Sequence, residues 1–398
     1  LKVVVITHNY IRRRDDLTAL YLHRLSSGLV ARGMDIVVVC PHAPGLLIEE
    51  TLDGVRIKRF TYPSANLKPI VYTGSMHEQV GRSIIAKFVF LSFLRSFYRT
   101  GLRVCREEKA DLLWANWWIP PGVVAARVGA KLHRPVVISS HGTDISLLGK
   151  SGILSPLSRY AYKRAAAATV VSNYLKEKLL AHVNVVAPSD IAVIPMPVGM
   201  EHFPKTPPPN NDPPMLLSVA RYMRQKRLDD IIAAAVRIAG EGINFKMRMV
   251  GEGPLENELK DSVHAKGLHD RIEFIPLVDQ ERLGELYRQA DAVVLASEGE
   301  GFGLVLVEAG LTGRSVIAAR SGGIVDIVED GYNGLMFDVG DVDGLMACVK
   351  RLFADQALRA RLGENGHIRA MERFATPVLV GRMYDLFSSI IERNQRTN

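Results

Sequence analysis

Only three cysteines occur in 398 residues, Cys40, Cys105 and Cys348. They lie far apart, with neither the pairing of a disulfide framework nor the clustering of a zinc site, so a reducing cytosol is the expected compartment. Long apolar runs are missing too: no stretch approaches the ~18 uninterrupted apolar residues that span a bilayer. The first residues form a strand-like run, Val3 to Thr7, rather than a basic stretch and an apolar core, so no signal peptide is expected. No Gly-x-Gly-x-x-Gly follows that strand, which argues against a dinucleotide-dependent dehydrogenase. Low-complexity tracts are absent, and 47% hydrophobic with 23% charged residues excludes disordered and fibrous classes.

What is present suffices for two cores, because 398 residues fit two domains of about 150 to 200 residues each. The net charge of +8 is unevenly distributed. Residues 1 to 200 carry 26 Lys and Arg against 13 Asp and Glu, whereas the remainder carries 24 against 29. A basic first half favours anionic partners such as phosphorylated acceptors, an anionic membrane surface or nucleic acid.

Short Val- and Ile-rich runs alternate with helix-length segments throughout, the pattern of buried parallel strands with helical crossovers. In the first half the strands are Val3–Thr7, Asp35–Cys40, Asp111–Trp114, Pro135–Ser140, Ala168–Val171 and Ile191–Ile194. From Phe203 to Met215 the chain reads FPKTPPPNNDPPM, where repeated prolines forbid helix. Alternation then restarts, with strands at Met215–Val219, Phe245–Val250, Arg271–Ile275, Asp291–Ala296 and Ser315–Ala319. The expected fold class is α/β, with two Rossmann-like domains: residues 1–202, a Pro-rich linker over 203–214, a second domain over 215–376, and a C-terminal helix over 377–398 that could pack back on the first domain. Ligands belong at the carboxyl ends of such strands.

The most informative segment is SEGEGFGLVLVE, Ser297 to Glu308. A strand ends at Ala296, a Gly-rich loop follows, and a helix begins near Gly303. Gly299, Gly301 and Gly303 let backbone approach a ligand, and the unpaired amides of the helix's first turn can donate to an anion or to sugar hydroxyls. Glu300 and Glu308 are placed to accept hydrogen bonds from two sets of hydroxyls on one extended ligand. Upstream, Arg221 and Lys226 follow the strand ending at Val219, where two cations could neutralise a diphosphate. Downstream, Gly322 and Gly323 read as the start of another helix and a second anion site.

In this order and context the motifs resemble the retaining glycosyltransferases of GT-B fold, of the glycosyltransferase family 4 and group 1 type. The likeness is close from Met215 to about Phe337, through the Arg221–Lys226 segment, GEGP at Gly251 to Pro254, the two glutamates of EGFGLVLVE, and the GG-IV-DG-NG run. It is looser in the first half, through HGTD at His141 to Asp144, VVSNYLKEKL and VIPMPVGMEHF. The resemblance implies two domains facing across a cleft and transfer of a hexose-type sugar from a nucleotide-diphosphate sugar with retained configuration. It implies that Arg221 and Lys226 bind the diphosphate, that Glu300 with Gly301, Phe302 and Gly303 holds the transferred sugar, and that Leu304 and Val305 amides reach the phosphates. By the same likeness Glu308 binds ribose, Gly251 and backbone near Val278 line the donor, and His141 faces the anomeric region; His141, Arg221, Lys226 and Glu300 would be the catalytic set. The acceptor would be a glycan, a lipid-linked sugar or another cell-envelope molecule, not a nucleic acid.

Related enzymes usually carry a Gly-rich turn after the first strand, where this chain has THNYIRRRDD. Arg12, Arg13 and Arg14 could there supply charge to a phosphorylated acceptor, and Trp117 and Trp118 could line the acceptor side or belong to the core. Front-face substitution, aided by the leaving diphosphate, is the expected route because neither glutamate is left over as a nucleophile. The Asp341-Val342-Asp343 run reads as a helix cap rather than a metal site, so no metal cofactor is expected. Residues 82–106 hold basic but no acidic residues. On a helical wheel Arg95, Arg99, Arg103 and Arg106 oppose Phe90, Phe93, Phe97 and Val104, which suits either a domain helix or a peripheral helix at the inner face of a membrane. The competing readings are a sugar-nucleotide epimerase of the same fold and a non-catalytic, membrane-peripheral sugar-nucleotide or glycan-binding protein.

Overall fold

The computed structural model describes residues 1–13, 16, 18–62, 84–149, 152 and 154–397. Arg14 and residues 82–83, named above, lie outside them. The chain forms two compact units, Leu1–Pro197 with Leu379–Asn398, and Val198–Val378.

The first unit is built on an eight-stranded sheet in the order β3-β4-β2-β1-β5-β6-β7-β8. Its strands are β1 (Lys2–Thr7), β2 (Asp35–Pro41), β3 (Glu49–Leu52), β4 (Val55–Phe60), β5 (Leu112–Asn116), β6 (Val136–Ser140), β7 (Ala167–Val170) and β8 (Ile191–Val193). All neighbours are parallel except the β3–β4 hairpin. That hairpin is absent from the sequence-based strands, although Asp53 and Gly54, at φ 47° and 79°, form the kind of tight Asp-Gly turn that hairpins favour. Val3 to Ile6 and Leu112 to Ala115 are fully buried, as strands covered on both faces must be. β1 pairs with β2 on one side and β5 on the other, so the strand order reverses there and opens a crevice beyond their carboxyl ends.

The C-terminal helix, Thr376–Thr397, returns to this unit. Leu379, Val380, Met383, Phe387, Ile390 and Ile391 join the core of β1, β2 and β5, and the Phe387 ring meets Trp114 edge-on at 5.3 Å. Trp114 is wholly buried and donates its indole N–H to Ser139 Oγ at 2.7 Å. The helix Ile84–Glu107 follows the expected wheel from Val89 onward: Phe93, Phe97 and Val104 are buried while Arg95, Arg99, Arg103 and Arg106 are exposed. Its first turns differ, since Ile84, Ile85, Phe88 and Leu91 are exposed. Among the described residues no helix is long and apolar enough to cross a membrane.

The second unit holds a six-stranded parallel sheet in the order β11-β10-β9-β12-β13-β14. Its strands are β9 (Met215–Val219), β10 (Lys246–Val250), β11 (Ile272–Ile275), β12 (Ala292–Leu295), β13 (Ser315–Ala319) and β14 (Leu335–Phe337). Here the order reverses at β9, which pairs with β10 and β12. The Pro-rich segment is not a free tether. The buried Arg314 guanidinium donates to the carbonyls of Thr206 and Pro207, at 2.6 and 3.0 Å, and to Thr206 Oγ1 at 2.6 Å. Further along, Asn211 donates to buried Asp291 at 2.7 Å. Arg314 therefore supplies donors for carbonyls that proline-rich backbone cannot satisfy in a ladder.

Candidate functional site

In the second unit the reversal point places two loops side by side, one after β9 and one after β12. The first carries Arg221 and Lys226. Its shape depends on GEGP: Gly251 and Gly253 have φ of 146° and 156°, and a Cβ on either would overlap the carbonyls of Ala220 and Tyr222. Backbone bonds from Ala220 N to Val250 O at 3.0 Å and from Tyr222 N to Glu252 O at 2.9 Å join the two segments. Gly251 thus shapes the Arg221 loop by close backbone packing.

The second loop is pinned to the first. Glu298 N donates to Gln225 O at 2.8 Å, and Gln225 Nε2 donates to Gly299 O at 3.1 Å. Lys226 Nζ donates to Glu300 Oε2 in an ion pair whose side chains are only 20% and 16% exposed. Arg221, by contrast, is exposed, and its guanidinium has no partner among the described residues. At the far side, Gly299 N donates to Ser321 Oγ at 2.7 Å and Gly323 N to Glu300 O at 2.7 Å. A Cβ at Gly322 would overlap the Glu300 carbonyl. The Gly322–Gly323 turn therefore braces Glu300, and with only a four-residue helix after it, Ile324–Ile327, it is not the second anion site expected.

Gly303, at φ 104°, precedes the helix Leu304–Leu311, which no side chain caps at its N-terminus. The first-turn amides of Leu304 and Val305 thus open beside the Lys226–Glu300 pair, with the positive end of the helix dipole. Glu308, one turn in, is 7% exposed. Tyr287 donates its hydroxyl to Glu308 Oε2 at 2.8 Å, and burial, then the Glu308 carboxylate, push that hydroxyl's pKa well above its ordinary value. A carboxylate fixed from behind in this way can accept hydroxyls from in front. The Phe302 ring is buried and meets Phe374 edge-on at 5.6 Å, so only its backbone is available to a ligand. Val278 is half-buried, on the loop after β11. Tyr287, Gln225 and Ser321 escaped the sequence reading: Tyr287 sits on the apolar face of an amphipathic helix and reads as core, and the others carry no motif.

In the first unit, His141 follows β6. Its backbone N–H donates to Asp144 Oδ1 at 3.0 Å, while both ring nitrogens are buried without a hydrogen-bond partner. Burial lowers its pKa to about 4 against the pull of Asp144, so the ring is neutral near pH 7. Tyr21, unremarked in the sequence, packs on that ring at 4.8 Å between centroids. Trp118 belongs to the core, fully buried, with its indole N–H given to Asp144 O at 2.6 Å; it cannot line an acceptor site. Trp117 is half-buried and stands edge-on to His8, 4.9 Å between centroids. Arg12 is paired with Asp16 at 2.6 Å. Burial opposes ionisation of Asp16, yet hydrogen bonds from Arg12 and Thr18 hold its pKa down at about 2, so much of the Arg12 charge is compensated within the loop. Arg13 is exposed.

Among the described residues no group of three or more His, Cys, Asp or Glu could hold a metal ion. The Asp341 carboxylate caps the helix Val342–Ala354 through Gly344 N at 2.9 Å, and Asp343 pairs with Arg237.

Comparison with known proteins fits this geometry. Residues 189–369 match the family model "Glycosyl transferases group 1", and residues 18–202 match "Glycosyltransferase Family 4". The chain is 27% identical over 300 residues to N-acetyl-alpha-D-glucosaminyl L-malate synthase of Bacillus anthracis, covering 72% of this chain and 77% of the relative. It is 27% identical over 318 residues to the GDP-mannose-dependent alpha-(1-6)-phosphatidylinositol monomannoside mannosyltransferase of Mycolicibacterium smegmatis, covering 74% and 80%. The structure of Anabaena HepE in complex with UDP matches with a TM-score of 0.76 at 19% identity, covering 98% of this chain and all (100%) of that one. Two family models that together run from residue 18 to 369, over two parallel α/β units with such neighbours, place the chain among the glycosyltransferases of GT-B fold.

Proposed function

We propose that this glycosyltransferase moves a hexose-type sugar from a nucleotide-diphosphate sugar to a glycan, lipid-linked or other cell-envelope acceptor, with retained anomeric configuration and without a metal. One observation carries the reading. The loops after β9 and β12, adjacent strands at the reversal point, bring together Arg221, Lys226, Glu300 and a bare helix N-terminus, with Glu308 one turn behind. Cations and free amides suit a diphosphate, and carboxylates at either end suit the hydroxyls of a sugar and a ribose. The UDP bound by HepE and the GDP-mannose named for the mycobacterial relative agree with that donor class.

In the proposed step the acceptor hydroxyl oxygen bonds to C1 of the sugar on the face from which the diphosphate leaves. The C1–O bond breaks, its electron pair goes to the departing phosphate oxygen, and that oxygen takes the acceptor's proton. Arg221, Lys226 and the Leu304 and Val305 amides stabilise the growing negative charge. Lys226 exchanges Glu300 for phosphate, and Glu300 then accepts hydroxyls of the transferred sugar. The Asp341 and Asp343 carboxylates are engaged with Gly344 and Arg237, which supports charge neutralisation by side chains rather than by a metal held there. The exposed apolar start of the helix Ile84–Glu107, with Lys87 and Arg95 exposed nearby, supports a peripheral contact with anionic membrane.

The test is a thermal-shift screen over nucleotide sugars followed by acceptor-dependent release of nucleoside diphosphate. One or two donors should raise the melting temperature, and Lys226→Ala and Glu308→Ala should abolish both responses. Epimerisation without an acceptor, or donor binding with no transfer over a broad acceptor panel, would overturn the reading.

A further inference from the structure

In the second unit the described residues whose φ lies in the left-handed region are ten glycines and Arg227. Glycine adopts that conformation freely, whereas the Cβ of an L residue is brought too close to a backbone carbonyl oxygen. Arg227, at φ 48° and ψ 42°, stands directly after Lys226, where the short turn Arg224–Lys226 passes into the helix Leu228–Gly240. The chain path there calls for a left-handed residue and not for a guanidinium. The side chain must therefore explain why arginine occupies a position that suits glycine.

The guanidinium is held on three sides. Its Nε and Nη2 donate to the two carboxylate oxygens of Asp230, in the first turn of that helix, at 2.6 and 3.2 Å. The fork fixes the plane of the group, and the remaining nitrogen, Nη1, donates to Glu298 Oε2 at 3.3 Å. Nη2 also lies against the turn before the helix Val342–Ala354, where a Cβ on Gly340 would stand 3.1 Å from it.

Three consecutive residues thus reach from the loop after β9 to the loop after β12. Gln225 takes Glu298 N on its carbonyl and gives its amide to Gly299 O, Lys226 pairs with Glu300, and Arg227 binds Glu298. A diphosphate that claims Lys226 dissolves the middle tie. The Arg227 tie persists, because its nitrogens are directed at Asp230 and Glu298 rather than at Glu300. Stability does not account for it, since the Arg227 and Glu298 side chains are 30% and 61% exposed and an ion pair so open to water adds little. Register does: the spacing between Lys226 and Glu300 must survive the moment at which their own bond breaks.

We propose that Arg227 is a positioning residue for transfer: from a left-handed backbone it clamps the loop after β9 to the loop after β12 through Glu298, and so keeps Lys226 and Glu300 in register once a donor has parted them. The proposal rests on the donor reading above and adds to it a residue that touches neither sugar nor phosphate.

The full-length wild type is compared with Arg227→Gly, Glu298→Ala and the double variant. Arg227→Gly relieves the left-handed backbone while removing the clamp, so its melting temperature should stay within about 2 °C of the wild type or rise. Nucleoside diphosphate release from UDP-glucose, UDP-N-acetylglucosamine and GDP-mannose, over the same acceptor panel, should nevertheless show kcat/KM reduced about tenfold in each single variant. The double variant should lose about tenfold again in total, not about 100-fold, because both substitutions break one tie. Amide hydrogen exchange on peptides covering 297–303 should be about fivefold faster in each single variant than in the wild type, with exchange in β10 unchanged. Glu298→Ala, at an exposed side chain, keeps the test valid should Arg227→Gly fold poorly.

Full transfer by either single variant, losses that multiply in the double variant, or exchange over 297–303 equal to the wild type would overturn the clamp. A wild type that releases no nucleoside diphosphate sinks the donor reading and the role in transfer with it. An active wild type whose turnover is indifferent to Arg227 sinks the clamp alone.

Discussion

Replacing Glu300 by glutamine should strengthen the grip on a free nucleoside diphosphate while impairing transfer. In the unliganded chain Lys226 is occupied by Glu300, and the two side chains are 20% and 16% exposed. Unit charges about 4 Å apart attract by about 4 kcal/mol at an effective dielectric of about 20. Exchange with water reduces the net worth of such a charge-assisted bond to about 1.5–3 kcal/mol. A diphosphate that claims Lys226 works against part of that. The neutral amide removes most of the competition, so the dissociation constant for a nucleoside diphosphate should fall about tenfold, or about 1.4 kcal/mol. The same change weakens the acceptor for the sugar hydroxyls, so kcat/KM should fall about 100-fold, near 2.7 kcal/mol of transition-state stabilisation. Calorimetry with UDP, GDP and ADP, beside steady-state transfer, reads both arms. Unchanged or weaker diphosphate binding in Glu300→Gln, together with no loss in Lys226→Met, would refute the idea that the lysine is held in reserve.

Other expectations follow from the same geometry. Tyr287→Phe removes the donor behind Glu308 and should weaken nucleotide-sugar binding about tenfold by calorimetry, while inorganic pyrophosphate binding stays unchanged. Arg314→Met strips the guanidinium from Thr206 and Pro207 and should cost about 3 kcal/mol in chemical denaturation, with new proteolytic cleavage within 204–214. Because burial lowers His8 and His141 to about 4, each contributes stability that is full above pH 6.5 and is lost as pH falls toward 4, by about 1.4 kcal/mol per pH unit per histidine. Thermal melts from pH 7 to 4.5 should show that slope, and His141→Gln should reduce it. Ile84→Ser with Phe88→Ser should abolish co-flotation with phosphatidylserine vesicles while leaving the melting temperature within about 1 °C, since both side chains are exposed.

Much of this was legible in the sequence because parallel strands buried on both faces leave short Val- and Ile-rich runs, and most of the strands came from these. β3 and β4 were missed because Glu49–Leu52, at the sheet edge, is mostly polar and Val55–Phe60 mixes basic with apolar residues, so neither forms a Val- and Ile-rich run, although Asp53-Gly54 marked their turn. Three-residue β14 is too short for any period to register. At the candidate site the motif residues Lys226, Glu300 and the Gly303 helix start were visible because glycine and charge stand out against a strand end. Their supports were not: Tyr287 and Ser321 act through tertiary contacts that sequence spacing does not encode. Gly251 and Gly322 are also places where backbone meets backbone, a need for glycine that spacing does not reveal. In the first unit Trp117 and Trp118 stood out at a strand end, yet Trp118 is core, and His8, Asn9, Asn116 and His141 are among the residues whose buried polar atoms have no partner.

We propose that Lys226, Glu308 and the free helix N-terminus bind the nucleotide-diphosphate handle of a sugar for transfer. Acceptor-dependent release of nucleoside diphosphate from a panel of nucleotide sugars, by the wild type, Lys226→Ala and Glu308→Ala, decides it. Release with one or two donors, lost in both variants while their folds persist, is the expected result. Release undiminished by either variant, or a wild type that no nucleotide sugar stabilises or reacts with, would contradict it.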